Sequence, residues 1–206
     1  MRLSVTTVEA FRLWRDTGDW MALEDLEATI RRDAPPNEKM LRGRAFHSVI
    51  ESPVKQEALG EHFYEAEGYR FGGPGMDRVL AMFPEGCVHE PKAEATVAGV
   101  TLVGKADALY GLGAWEAKLS DKIDVERYFD SFQWRAYIVL FGVKWVRYVL
   151  GQGDFSGNFV SVYTALPMTL YTYPKLGEDV RRLTSECAEF IVMRGLESHV
   201  QEREAA

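Results

Sequence analysis

The sequence predicts an α/β fold: a central mixed β-sheet flanked by helices. Three observations carry that expectation. Apolar residues recur at helical spacing through most of the first 85 positions. From Val88 the pattern changes to short β-type runs punctuated by glycine. Helical spacing then returns between strand-like segments, over 124–142 and again at the end. The order is helices, three strands, helix, two strands, helix, which suits a sheet covered by helices. At 206 residues the chain is long enough for one domain with its own core. We read 1–206 as that domain, with a helical N-terminal part (about 1–85) and a sheet core (about 86–170).

The elements follow in order. Residues 5–15 have helical apolar spacing, with Ser4, Thr6 or Thr7 available as cap. A second helix over 20–32 ends before Pro35-Pro36. Over 37–51, Asn37 can cap a third helix and Pro53 closes it. A fourth is expected over 54–67. Gly72-Gly73-Pro74-Gly75 turns into a short helix over 75–83; it lacks the Gly-Lys-Ser/Thr ending of a phosphate loop and receives no nucleotide role. Strands are expected over 88–98 and 100–109, around Gly99, and over 114–119. A helix over 124–142 carries Tyr128, Phe132, Ala136 and Leu140 on one stripe. Two strands over 143–151 and 158–165 and a helix over 175–200 complete the domain, followed by a frayed Glu-Arg-Glu-Ala-Ala tail.

Composition narrows the function. Apolar residues make up 47% and charged residues 27%, as in ordinary globular proteins. No stretch has the length and apolarity of a bilayer span, and the opening residues lack a signal-peptide core, so we expect a cytoplasmic protein without a membrane partner. Cys87 and Cys187 are too few for a disulfide framework or a four-thiolate cluster and read as small core residues. The net charge of −7 by itself argues against a nucleic-acid partner, but its distribution decides where DNA could sit. Arg31, Arg32, Lys39, Arg42, Arg44 and Lys55 stand against only Asp33, Glu38 and Glu51 over 31–55. That local basic stretch is either a phosphate-facing surface or a solvated helix face.

The most informative run is Gly104-Lys105-Ala106-Asp107, followed by Glu116-Ala117-Lys118. Side chains two apart on a strand point the same way, so Glu116 and Lys118 share a face. The intervening segment reads as strand, glycine turn, strand, which can bring Asp107 beside them. Two acids and a lysine in one place suit divalent-metal hydrolysis of a phosphodiester. Taken alone, Glu116 and Lys118 also read as a surface ion pair. Three further pieces change the balance: Gly43-x-x-x-His47-x-x-x-Glu51 on a helix, Glu90 ahead of Asp107, and Gln133-x-x-x-Tyr137 on the helix after the sheet.

The four pieces, in this order, resemble the PD-(D/E)XK nuclease superfamily and within it the RecB-like branch, from the Ser-Val-Thr-Thr-Val-Glu-Ala-Phe opening to about Phe141. The resemblance implies a restriction-endonuclease-like fold and, for a nuclease-sized module standing alone, a phage-type exonuclease similar in fold and size to lambda exonuclease. It implies catalytic roles for Asp107, Glu116 and Lys118, and a Mg²⁺ or Mn²⁺ site formed by Asp107, Glu116, the Ala117 carbonyl and His47. In such sites the lysine orients the attacking water and steadies phosphate charge. Gln133 and Tyr137 would line the site and steady the lysine or the DNA, Glu90 would act beside the metal, and Gly43 would let its helix approach the sheet. Arg44, next to His47, is a candidate phosphate contact.

The chain departs from the family pattern in having Ala106 before Asp107, and it lacks the cysteine set of iron–sulfur versions. The implied partner is DNA, linear duplex or ends, in a bacterial cell or phage-infected host. A homo-oligomer and a single-strand annealing protein are further partners the resemblance admits. The rival functions are a non-catalytic binding or assembly module on the same fold, and an endonuclease or RNA nuclease. His47 also reads as a boundary histidine, and Trp115, Trp134 and Trp145 as core. Tyr69 and Phe71 are weaker candidates for stacking on a DNA end.

Overall fold

The computed structural model describes residues 1–18, 21–33, 35–58 and 61–200. The elements are β1 (Arg2–Ser4), α1 (Val5–Thr17), α2 (Leu23–Arg31), α3 (Glu38–Glu51), β2 (Lys55–Ala58), β3 (Glu61–Ala66), β4 (Tyr69–Gly72), α4 (Pro74–Ala81), β5 (Val88–His89), β6 (Lys92–Val97), β7 (Val100–Lys105), β8 (Ala108–Tyr110) and β9 (Gly113–Ser120). They continue with α5 (Val125–Asp130), α6 (Phe132–Phe141), β10 (Trp145–Ser156), β11 (Phe159–Tyr171), α7 (Leu176–Met193) and a 3₁₀ turn at Glu197–His199.

The expected mixed sheet with flanking helices is observed. Eight strands run in the order β2-β3-β4-β11-β10-β9-β8-β5, and β1-β7-β6 form a smaller sheet. The large sheet is mixed: β9 runs parallel to β10 and β4 parallel to β11, and the other pairs are antiparallel. Strand β10 shows the two-residue alternation of a strand buried on both faces. Its Val146, Tyr148 and Leu150 join one core with residues of α1, α6 and α7. Val149 joins a second core with Phe46 and Val49 of α3 and Met76 and Val79 of α4. No described helix is long and apolar enough to cross a membrane.

Several sequence expectations are corrected. Residues 55–58 and 61–66 form strands where a helix was expected over 54–67; residues 59–60 lie outside the described residues. The signal was the Glu67-Gly68 turn, whose φ values of 49° and 81° suit a two-residue hairpin between β3 and β4. This hairpin buries Tyr64 and Phe71 against α3 and α4, so the first 85 residues are not wholly helical. The strand expected over 88–98 breaks at Glu90-Pro91, where Glu90 takes φ 49° and Pro91 has no N–H for a ladder. The strand expected over 100–109 breaks at Ala106-Asp107, where the chain leaves the small sheet for the large one. The helix expected over 124–142 is interrupted by Ser131, whose extended backbone lets its hydroxyl accept from Gln133 N–H and start α6. Short β1 escaped notice because three residues carry no period; it docks parallel on β7 with Leu3 beside Leu102. The last helix stops at Met193, before Gly195. Trp20, the expected start of the second helix, and the C-terminal tail lie outside the described residues.

Candidate active site

The site forms where β7 and β8 part company. Gly104 ends the approach. A Cβ there would sit 2.7 Å from Leu140 Cδ1 and 3.3 Å from Tyr137 Cε1, so the missing side chain lets α6 lie against β7. Ala106 is then fully buried, and Asp107 turns into the gap between the sheets. Its N–H donates to the Trp115 carbonyl at 3.2 Å and its carbonyl accepts from Glu90 N–H at 3.0 Å. Its Oδ2 accepts from Ala117 N–H at 2.6 Å. The carboxylate thus replaces the partner that β9 loses where β8 begins. The Ala117 carbonyl leaves β9 on the same edge as that N–H.

His47 reaches this point from α3, which Ala45, Phe46, Val49 and Ile50 bury against the sheet. Its Nδ1 lies 2.8 Å from Asp107 Oδ1. That nitrogen is buried but does not meet hydrogen-bond geometry. Glu116 is 3% exposed. Its Oε1 accepts from Lys118 Nζ at 2.7 Å and from Gln133 Nε2 at 2.8 Å. The Gln133 amide also donates to the Tyr137 hydroxyl oxygen at 2.9 Å, and Tyr137 donates to the Lys105 carbonyl at 2.5 Å. Gln133 therefore bonds the acid and Tyr137 bonds Gln133, where the resemblance implied that the pair steadies the lysine or the DNA. Glu116 Oε2 is buried and has no hydrogen-bond partner among the described residues.

The electrostatics follow from burial and crowding. Burial pushes the Glu116 carboxyl up, and the Asp107 charge adds to this; Lys118 and His47 pull it back only in part. Burial would lower the Lys118 ammonium, yet Glu116 and Asp107 outweigh it and the net shift is upward. Burial likewise opposes protonation of His47, and its close contact with the Asp107 carboxylate outweighs this, so the net shift is upward. Burial raises the Tyr137 phenol well above its ordinary value. At neutral pH Lys118 is accordingly a held cation and not a base, and Tyr137 is a neutral hydrogen-bonding group.

These groups form one wall of a cleft of about 900 Å³ that also receives Gly43, Arg44, Glu90 and Lys105. The donors suit a hard, well-hydrated cation. Glu116 Oε2 lacks a donor, the Asp107 charge acts on the same carboxyl, and a carboxylate-poor site of this kind fits Mg²⁺ that keeps several waters. It is not a closed cage: among the described residues no three His, Cys, Asp or Glu side chains converge as a ligand set. The structure thus brings together Asp107, Glu116 and Lys118, with His47 turned onto Asp107.

The remaining candidates are placed differently. Glu90 lies in the turn between β5 and β6, not on a strand, and its carboxylate pairs with Lys105 at the cleft rim. Arg44 is exposed on α3 and borders the cleft. A Cβ on Gly43 would meet nothing, so this glycine opens space beside the cleft and is not a close-packing device. Phe71 is fully buried, 5.7 Å from the Phe46 ring, and is not available for stacking. Trp115 and Trp145 pack edge to face. Sequence reasoning missed Glu9 of α1, whose Oε2 accepts the Phe132 N–H at 2.6 Å and so anchors the first turn of α6 beside Gln133. The 123-residue separation left no local signal for it. Lys105 was overlooked as a rim group although it adjoins the motif.

No protein-family model and no curated protein matches the chain. Solved structures do. A protein provisionally named as an exonuclease, from Eubacterium rectale, superposes with a TM-score of 0.54 at 10% identity, covering 97% of this chain and 83% of that one. SSO0001 gives 0.51 at 15% identity, covering 92% and 76%. The alkaline exonuclease LHK-Exo from Laribacter hongkongensis gives 0.45 at 14% identity, covering 97% and 90%. The first two likenesses show a shared fold.

Proposed function

We propose that this chain is a divalent-metal-dependent deoxyribonuclease, an exonuclease that hydrolyses phosphodiester bonds at the ends of linear DNA in the cytoplasm. One observation carries the reading: Glu116 is buried with one oxygen held by Lys118 and Gln133 and the other free, directly beside Asp107 on the wall of an open cleft. Burying two like charges together is costly unless a cation joins them. Asp107, Glu116 and the Ala117 carbonyl would hold that cation, with His47 next to them. Mg²⁺ or Mn²⁺, when bound, supplies positive charge for the phosphate and lowers the pKa of attacking water. Lys118 presents a fixed ammonium to the charge that builds on the phosphate. Gln133 and Tyr137 hold the Glu116 carboxylate in place, and Arg44 and Lys105 offer positive charge at the rim. The Eubacterium rectale fold neighbour, itself named as an exonuclease, favours the same reading.

The test is release of nucleotides from linear duplex DNA with Mg²⁺, for the wild type and Lys118→Ala. Removing one such stabilising group lowers the rate by about 10²–10³-fold. The variant should show that loss while retaining a cooperative melt, and EDTA should stop the wild type. An undiminished rate in Lys118→Ala would overturn the proposal.

A further inference from the structure

The cleft does not end at Glu116. A second cavity of about 400 Å³ opens between β1, the end of α2 and the 3₁₀ turn. Arg2, Ser4 and Val103 line both spaces, so the two adjoin at β1 and β7. Among the described residues, Arg2, Arg31 and Arg32 line the second space with one acid, Asp33. Its arginines are not fully neutralised. Arg31 shares the Glu27 carboxylate with Arg194, so two guanidiniums face one acid. Arg2 pairs with Glu94 at 2.7 Å. Arg32, held in the left-handed region at φ 57° past the end of α2, has no ion pair among the described residues. In a chain of net charge −7, this is a local concentration of positive charge.

We propose that this cavity is an arm of the cleft that binds the phosphodiester backbone of the substrate strand away from the scissile phosphate. The inference rests on the nuclease reading and extends it to a substrate several nucleotides long. Guanidinium forks match phosphate oxygens, and Ser4, Thr7 and Ser198 add hydroxyls along the same wall. Among the described residues no Phe, Tyr or Trp lines the arm, and the lining is mainly polar. It therefore reads the backbone and not the sequence. This gives a role to the start of the basic run, Arg31 and Arg32, which the catalytic wall does not use.

The test is binding of a fluorescent single-stranded 20-mer in EDTA, followed by anisotropy across a salt series. The proteins are the wild type, Arg32→Gln, Arg2→Gln and, as control, Arg70→Gln on β4 outside the cleft. Losing a charged phosphate contact weakens affinity about tenfold. It also lowers the salt slope by roughly 0.7 per contact for a single strand. Arg32→Gln and Arg2→Gln should show both effects, and the control neither. Equal behaviour of Arg32→Gln, Arg2→Gln and the control, or no binding by the wild type, overturns the arm. Mg²⁺ added to the same samples separates the two readings: Arg32-dependent binding without cleavage keeps the arm and removes the nuclease, whereas cleavage with unchanged affinity and slope does the reverse.

Discussion

Gly104→Ala should weaken the fold and the site together. The added methyl would stand 2.7 Å from Leu140 Cδ1, 3.2 Å from Val5 Cγ2 and 3.3 Å from Tyr137 Cε1. The first distance is too short for any real contact, and the other two leave little room to yield. Overpacking of this kind costs about 1–3 kcal/mol. The low end applies if Leu140, near the end of α6, swings aside. The high end applies if Tyr137 must move, because it is buried and donates to Lys105 O at 2.5 Å. For a chain of this length each kcal/mol shifts Tm by roughly 2–4 °C, so Tm should fall by about 2–12 °C. Displacing Tyr137 also disturbs Gln133, which holds Glu116. Thermal melts followed by circular dichroism, with cleavage rates measured well below the new Tm, read both effects. An unchanged Tm would refute the packing argument. A lowered Tm with an unchanged rate would refute the link from Tyr137 to the acid.

The neighbouring cases differ in sign. Gly43→Ala adds a methyl to open space within α3, so propensity should govern stability, which should rise by about 0.8–1 kcal/mol; a drop in Tm would contradict this. Asp77 accepts from the Tyr64 hydroxyl at 2.7 Å and lies 2.9 Å from His62 Nε2, and these partners hold its carboxyl below the usual range. Its folded pKa lies below its unfolded value of about 3.9, so its contribution is present at neutral pH and lost as pH falls through the folded value. Because the group is well exposed, that contribution should not exceed about 1 kcal/mol. Denaturation midpoints of wild type and Asp77→Asn should therefore differ at neutral pH and converge in acid; a gap that widens on acidification would contradict the assignment. Mn²⁺ should raise the wild-type Tm relative to EDTA, by about 2.7 kcal/mol of stability at a hundredfold excess over Kd. Glu116→Gln should lose most of that gain, and an equal gain would place the metal elsewhere.

The parts of the site carried by local spacing were legible in the sequence. Glu116 and Lys118 share a strand face, and Gln133 and Tyr137 share a helix face, because two and four residues fix those relations. What each pair touches was not legible. Gln133 reaches Glu116 across the sheet–helix interface, and only packing of α6 on β7, permitted by Gly104, decides that. Glu90 stood at a suggestive distance from Asp107, but its left-handed backbone before Pro91 delivers the carboxylate to Lys105. The strands over 55–58 and 61–66 were not legible because their polar edge carries little alternation; the Glu-Gly turn is the stronger signal. Gly43 and Gly104 look alike in the sequence, and only their surroundings show that one opens space and the other closes it.

The central claim is that Glu116 belongs to a metal-dependent nuclease centre that works from DNA ends. The most direct measurement incubates linear duplex and closed circular DNA with Mg²⁺, using the wild type and Glu116→Gln side by side. The account predicts that the wild type degrades only the linear DNA and that the variant, folded by its melt, degrades neither. Cleavage undiminished in Glu116→Gln, or no cleavage of either DNA by folded wild type, would contradict it.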